Sequence, residues 1–217
     1  LREQQTSRLA QLHAEYAEHP SSGLTPPRLA SILQAAERGD IKAQCELFQD
    51  MEEKDAHLLA EMGKRRRALT TVDWTVLPPR DPSAAEQAEA DWLNEVLQDL
   101  PDFEDLLFDL LDAIGKGFAC IELDWQRLGR EWLPAAFNYR EASWFQLDMA
   151  TRNELRLRDG SAEGEALNPF GWIIHQHKAK SGYVARGGLY RVLAWPYLFK
   201  AYAVRDLAEF LEIYGLP

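Results

Sequence analysis

Residues 103–125 read FEDLLFDLLDAIGKGFACIELDW, and a change of rhythm inside them decides the fold class. Phe103, Leu106, Leu107, Leu110, Leu111 and Ile114 recur at helical spacing, with Asp105, Asp109 and Asp112 on the opposite side. Gly115 and Gly117 end that helix, since glycine closes a helix terminus at little steric cost. From Phe118 the texture becomes that of strands: FACIELDW, a turn at RLGRE, then WLPAAFNY, WFQLD and LRLRD. The polar stretch GSAEGEALNP forms a turn or loop before a further strand, GWIIHQHK, and AKSGYVARGG is a basic, flexible loop.

Working back toward the N-terminus, helices dominate. Thr25 is a good N-cap, Pro26 and Pro27 sit in a first turn where a missing N–H costs nothing, and Gly39 stops the helix. Leu29, Ile32, Leu33 and Ala36 mark its inner face. Asp40 can cap one long helix over residues 41–69, with Leu47, Met51, Leu58, Met62 and Leu69 at helical intervals. TTVDWTVLPP, residues 70–79, switches to period two with Val72, Trp74 and Val76 on one face. It predicts a strand that Pro78 and Pro79 end. Ser83 opens another helix carrying Ala88, Trp92, Leu93 and Val96. Helices first, then a mostly antiparallel sheet, then a long C-terminal helix make an α+β fold, with no βαβ alternation and no dinucleotide fingerprint. The divisions are an N-terminal arm or helix over 1–23, an α+β domain over 24–187 and a long helix over 188–217.

That last helix poses the functional question. Between Val192 and Val204 it is apolar around most of its circumference, and a helix without a clean polar face belongs in a core or against partners. Trp195, Leu198, Phe199, Tyr202 and Phe210 are the candidate subunit-interface residues.

Composition narrows the class. The chain has 217 residues, 46% apolar and 27% charged, which is enough for a real core without covalent staples. Cys45 and Cys120 form no CxxC pair and read as buried free thiols in a reducing compartment. The apolar run Val192–Phe199 falls far short of a membrane span, so no membrane is expected. The first twenty residues lack a signal-peptide apolar region, and synthesis in the cytosol is the expectation. Between Asp81 and Asp124 thirteen acids face one base, Lys116, a balance of −12, while the remaining 22 acids and 23 bases nearly cancel. An acidic segment of this kind cannot grip DNA through phosphate neutralisation.

Candidate chemistry is sparse. His175 and His177 lie two apart on a strand, so both rings face one side, a spacing that can bind a metal; no third ligand is marked, and two half-buried histidines on a sheet face are the plainer reading. Glu122 and Asp124 share a strand face as divalent-metal ligands do in nucleases, yet ELDW stands where an ExK would complete that pattern. The plain reading makes them the solvent face of a strand whose Ile121, Leu123 and Trp125 point inward. Lys64–Arg67, KRRR, fits the negative C-terminal end of a helix. Lys178, Lys180 and Arg186 are the better candidates for contact with DNA or a partner. The seven Trp read as core, Gly115–Gly117 lacks the phosphate-loop spacing, and neither a nucleophile elbow nor a cofactor motif is present.

Taken in order, LTPPRLASILQAAERGD, ELFQDMEEKDAHLLAEMGKRRRAL, VDWTVLP, FEDLLFDLLDAIGKGFACIELDWQ, WLPAAFNYRE and the C-terminal HKAKSGYVARGGLYRVLAWPYLFKAYAVRDLAEFLEIYGLP resemble the N-terminal part of Mu-like bacteriophage portal proteins. The resemblance spans roughly residues 24–217 and implies a wing-like α+β domain whose last helix leads toward the stem. The family chain runs on past a sequence like Gly215–Pro217, so the resemblance implies a piece of a longer protein. It further implies a structural, non-enzymatic subunit of a homo-oligomeric ring, commonly of twelve copies. That ring sits at the head vertex of a virion or prophage particle, is assembled in the host cytoplasm, and works with terminase, capsid and neck proteins. Double-stranded DNA passes through it without sequence-specific contact, and no cofactor, metal or catalytic residue is carried over. The competing readings are a metal-dependent nuclease or phosphodiesterase using Glu122, Asp124, His175 and His177, and an adaptor that binds one partner through the terminal helix.

Overall fold

The computed structural model describes residues 4–9, 12, 19–100 and 102–215. It is α+β, as the rhythm of the sequence predicts. Helices α1 (Pro26–Glu37), α2 (Lys42–Lys54), α3 (Ala56–Thr70), α4 (Ala84–Gln98), α5 (Phe103–Leu110) and α6 (Ala113–Lys116) precede strands β1 (Phe118–Leu128), β2 (Glu131–Arg140), β3 (Phe145–Leu147), β4 (Leu155–Leu157), β5 (Glu165–Ala166) and β6 (Trp172–Gln176). Helix α7 (Tyr190–Tyr214) closes the chain. The strands form two antiparallel sheets, ordered β2–β1–β6 and β3–β4–β5. Of the expected arm over 1–23, residues 1–3, 10–11 and 13–18 lie outside the described residues; in the remainder Thr6–Arg8 form a 3-10 turn.

Local chemistry accounts for the helix ends. The Thr25 hydroxyl accepts from the Arg28 amide with Pro at the first two positions, and Ser83 and Glu86 form a reciprocal capping box that starts α4. The single long helix expected over 41–69 is instead two. Asp55 leaves the helical region (φ −104°, ψ 95°), and its carboxylate accepts from the amides of His57 and Leu58, restarting the chain as α3. An Asp side chain satisfies free amide groups better at a cap than inside a helix. The helix expected over 103–114 also breaks, at Leu111–Asp112, and Gly117 in the left-handed region (φ 99°) ends the short α6.

Two apolar clusters share α2 as a wall. Ile41 and Cys45 meet the sheets at Phe118, Cys120, Phe145, Leu147 and Leu157. Leu47, Phe48 and Met51 meet α1, α3 and α7 at Leu29, Leu33, Met62, Tyr190, Ala194 and Leu198. Both cysteines are free and buried, and burial pushes the Cys45 thiol up to about 12. Gly115 matters for packing: a Cβ there would run into the Tyr190 ring, so α6 and the start of α7 touch only because that side chain is absent.

Two sequence expectations need correction. Residues 70–79 form no strand, and no strand of the described chain pairs with them. The tryptophans are only partly core: Trp144, Trp172 and Trp195 are half-buried against the apolar clusters and Trp125 is half-buried, but Trp74, Trp92 and Trp132 are exposed, and α4, which carries Trp92 and Leu93, buries only Ala90.

Two charged residues with plain surface readings prove to be interior. Arg66, inside KRRR, is buried and pairs with Glu52 at 2.9 Å and Asp112 at 2.7 Å, with its guanidinium 5.5 Å from the centre of the Phe108 ring. Asp112, expected on the solvent side, also accepts from Lys116 at 2.8 Å and from the Tyr139 hydroxyl at 2.8 Å. The arrangement ties α2, α3, α6 and β2 around one buried carboxylate. Replacing Arg66 by Met leaves Glu52 buried with no cation of its own, and the expected cost is about 3–5 kcal/mol in urea unfolding. Gly115→Ala is expected to cost about 1–3 kcal/mol by the same measurement, because the Tyr190 ring must shift.

Candidate functional site

Helix α7 divides into two halves with different fates. Tyr190, Ala194 and Leu198, four residues apart, line one stripe and are fully buried in the helical core. Polar ties fix this half from several sides. Arg191 reaches Glu37 and the Gln44 side chain, Lys200 pairs with Asp55 at 2.7 Å, and the Tyr202 hydroxyl donates to the Leu24 carbonyl at 3.0 Å. The Lys200 and amide hydrogen bonds hold the Asp55 carboxyl below its usual range, although burial pulls it the other way. Pro196 sits inside the helix, where its ring withholds one backbone donor.

Beyond Tyr202 every described residue of the helix is exposed. Twelve residues, 203–214, carry the rod roughly 18 Å past its last anchor at 1.5 Å per residue. Val204, Leu207, Leu211 and Tyr214, spaced three and four apart, form an apolar seam, with Phe210 and Ile213 beside it. Ile213 and Tyr214 are 69% and 70% exposed. Arg205 pairs with Asp206 and Glu209 away from the seam. In the anchored half, Val192 and Phe199 also face outward, and Trp195 stacks on Phe199 with centroids 6.3 Å apart. Of the interface candidates, then, Phe199 and Phe210 are free to meet another molecule and Trp195 is half-covered. Leu198 is spent in its own core, and Tyr202 is tied to Leu24. Val204, Leu207 and Leu211 were missed; their three-and-four spacing in VRDLAEFL was the available signal.

The residues proposed for metal chemistry are placed apart. Glu122 is not on a solvent face. Its carboxylate is buried, accepts from the amides of Gln5 and Thr6 and the Thr6 hydroxyl, and pairs with Arg140 at 2.9 Å. Asp124 accepts from the side chains of Gln4 and Asn138. The two acids therefore clamp the N-terminal turn, a role the strand-face reading missed because the partner lies 116 residues away in sequence. Leu123 and Trp125, read as inward, are only half-buried. His175 pairs with Ala119 across the β1–β6 ladder while Glu122 pairs with Trp172, which separates them by three residues, roughly 10 Å along the strand. Burial, with help from His177, lowers the His175 pKa. Among the described residues no three metal-ligating side chains gather anywhere. Lys178 and Lys180 are exposed, whereas Arg186 is held by Glu37 at 2.8 Å.

The family model for the portal protein of Mu bacteriophage matches residues 45–217, from inside α2 through all of α7. The chain belongs to the Mu portal protein family. It is 52% identical over 209 residues to the portal protein of Escherichia phage Mu, covering 96% of this chain and 41% of that protein. It is 51% identical over 213 residues to the Mu-like prophage FluMu protein gp29 of Haemophilus influenzae, covering 97% of this chain and 41% of that one. The chain thus spans about 41% of the length of these relatives. Within this Mu portal family chain, both the clamp and the divided helix fall inside the aligned region or against it.

The division of α7 makes a measurable asymmetry. Leu198→Asp is expected to abolish cooperative unfolding, whereas Leu207→Asp on the exposed half leaves subunit stability within about 0.5 kcal/mol in urea titrations. Glu122→Ala is expected to release the N-terminal turn, seen as at least tenfold faster amide hydrogen exchange at Gln5 and Thr6, with the β1–β2 amides unchanged.

Proposed function

We propose that the chain is the N-terminal, wing-like part of a portal subunit. In this reading identical subunits close into a ring, twelve in number, at one vertex of the phage or prophage head. The observation that carries the reading is the apolar seam of α7 over 203–214, which no described residue covers. A seam spaced three and four apart is what side-by-side helices of like copies bury, and a cyclic assembly covers both flanks of every copy at once. Family membership supports the same role.

The subunit works as structure, with no catalytic step assigned to it. Double-stranded DNA passes through the ring during packaging, driven by terminase, and the ring later joins head to neck and tail. The acids exposed on the segment before α5, among them Glu89, Asp91, Glu95 and Asp99, add negative charge that discourages adhesion of a polyanion. Lys178 and Lys180 remain the basic groups offered to DNA or a partner. The finished ring resides in the virion, after assembly in the host cytoplasm. Among the described residues no helix is long and apolar enough to cross a membrane.

The test uses the full-length protein. Electron micrographs of purified material are expected to show closed hollow rings. The double variant Leu207→Asp, Leu211→Asp is expected to give folded single subunits with unchanged circular dichroism. Rings of normal size and number from that variant would overturn the reading.

A further inference from the structure

Residues 72–77, VDWTVL, have the composition of a strand, yet they follow a bend at Val72 without regular structure and have no strand partner. One residue is held. The Asn94 side chain of α4 accepts from the Val76 amide at 2.8 Å and donates to the Val76 carbonyl at 2.9 Å, as a neighbouring strand would. In an extended chain the N–H and C=O of one residue point to the same edge and those of its neighbours to the opposite edge. With Val76 turned to α4, a run extended through Val76 turns the main-chain groups of Asp73, Thr75 and Leu77 away from it. Among the described residues none of these groups has a partner. Of the side chains, Leu77 and Val72 are uncovered at 78% and 56% exposure while Trp74 packs on Phe103, and Pro78 and Pro79 limit the segment at its far end. A bare apolar edge of this kind invites another strand.

The same chain offers a matching bare edge. In the sheet ordered β2–β1–β6, β2 is an outer strand of ten residues, and among the described residues no backbone hydrogen bond reaches its outer side. Charge favours bringing the two edges together. Residues 73–102 carry eight acids and one base, Arg80, whereas the β1–β2 turn that leads into β2 presents Arg127 and Arg130 against Glu131. Opposite charge on two different patches of one surface is what a head-to-tail contact between copies requires.

We infer that residues 72–77 of one copy add as a fourth strand to the outer edge of β2 in the next copy around the ring. The inference rests on the ring reading and supplies a second contact between neighbours, separate from the α7 seam. Backbone hydrogen bonds from Asp73, Thr75 and Leu77 set its register, and the acidic segment around α4 lies over the Arg127–Arg130 turn.

Cysteine pairs test it in the full-length protein. Thr75→Cys is combined in turn with Leu133→Cys, Ala135→Cys or Phe137→Cys, the native Cys45 and Cys120 being buried, and mild oxidation follows. At least one pair is expected to give a ladder of covalent multimers on denaturing gels, while either cysteine alone gives none. A second variant, Thr75→Pro, removes an outward N–H that has no partner within the subunit. Because it also loses the hydroxyl bond to the Asn94 side chain, it is compared with Thr75→Val, which loses only that bond; it is expected to match that control in melting temperature and to raise the concentration needed for ring formation at least tenfold above it. Intact rings in micrographs with no ladder from any pair, or normal assembly of Thr75→Pro, would overturn the strand addition and leave the ring standing. Protein that stays monomeric in micrographs would overturn both.

Discussion

Helix α7 buries an apolar stripe against its own subunit in its first half only. Tyr190, Ala194 and Leu198 fill the helical core, and Gly115 leaves room for the Tyr190 ring to enter it. Everything outward follows from that commitment. The rod is anchored by Arg191, Lys200 and Tyr202, and the twelve residues after Tyr202 are held out at a direction the core has already set. A freely swinging tail with the same apolar residues would collapse onto its own domain; a rigidly rooted one presents them to something else. At roughly 0.8 kcal/mol per buried methylene, covering Val204, Leu207, Leu211 and their neighbours stabilises whatever assembly buries them.

The same logic governs the buried charges. Asp112 sits between Arg66, Lys116 and Tyr139, and Glu122 between Arg140 and the N-terminal turn. Neither carboxylate would be tolerated alone in the interior. Paired as they are, each fixes a junction between elements that the apolar clusters leave loosely specified. Asp112 joins the helices to the sheet, and Glu122 joins the first residues of the chain to the centre of β1. Two acids that composition places in an acidic surface segment are therefore structural fasteners, and the acidic face is smaller than the charge count implies.

The sequence made the element order legible because periodicity reports burial locally. The helix-to-strand switch at Gly117, the Thr25 and Ser83 caps and the antiparallel strands from Phe118 are all set by neighbours a few residues away. Legibility failed where the deciding partner is distant. Asp55 breaks a helix with its own side chain, a competition that apolar spacing at Leu47, Met51, Leu58 and Met62 does not register. Arg66 looks like part of a basic run until Glu52 and Asp112 are brought beside it. Residues 72–79 read as a strand because they have a strand's composition, and no pattern within the chain could reveal that the partner strand is missing. Helix α7 reads as apolar all round over Val192–Val204 because the outward Val192 and Phe199 share that stretch with the core stripe of Ala194 and Leu198.

The central claim is that copies of this helix cover the outer half of α7 in the assembled ring. Thiol labelling of a cysteine placed at position 207 in the native assembled particle tests it most directly, with a cysteine at the exposed Lys178 as the open reference. The account predicts that the residue-207 thiol is labelled at least a hundredfold more slowly than the reference in the assembly and at an equal rate in dispersed subunits. Equal labelling in both states would contradict it.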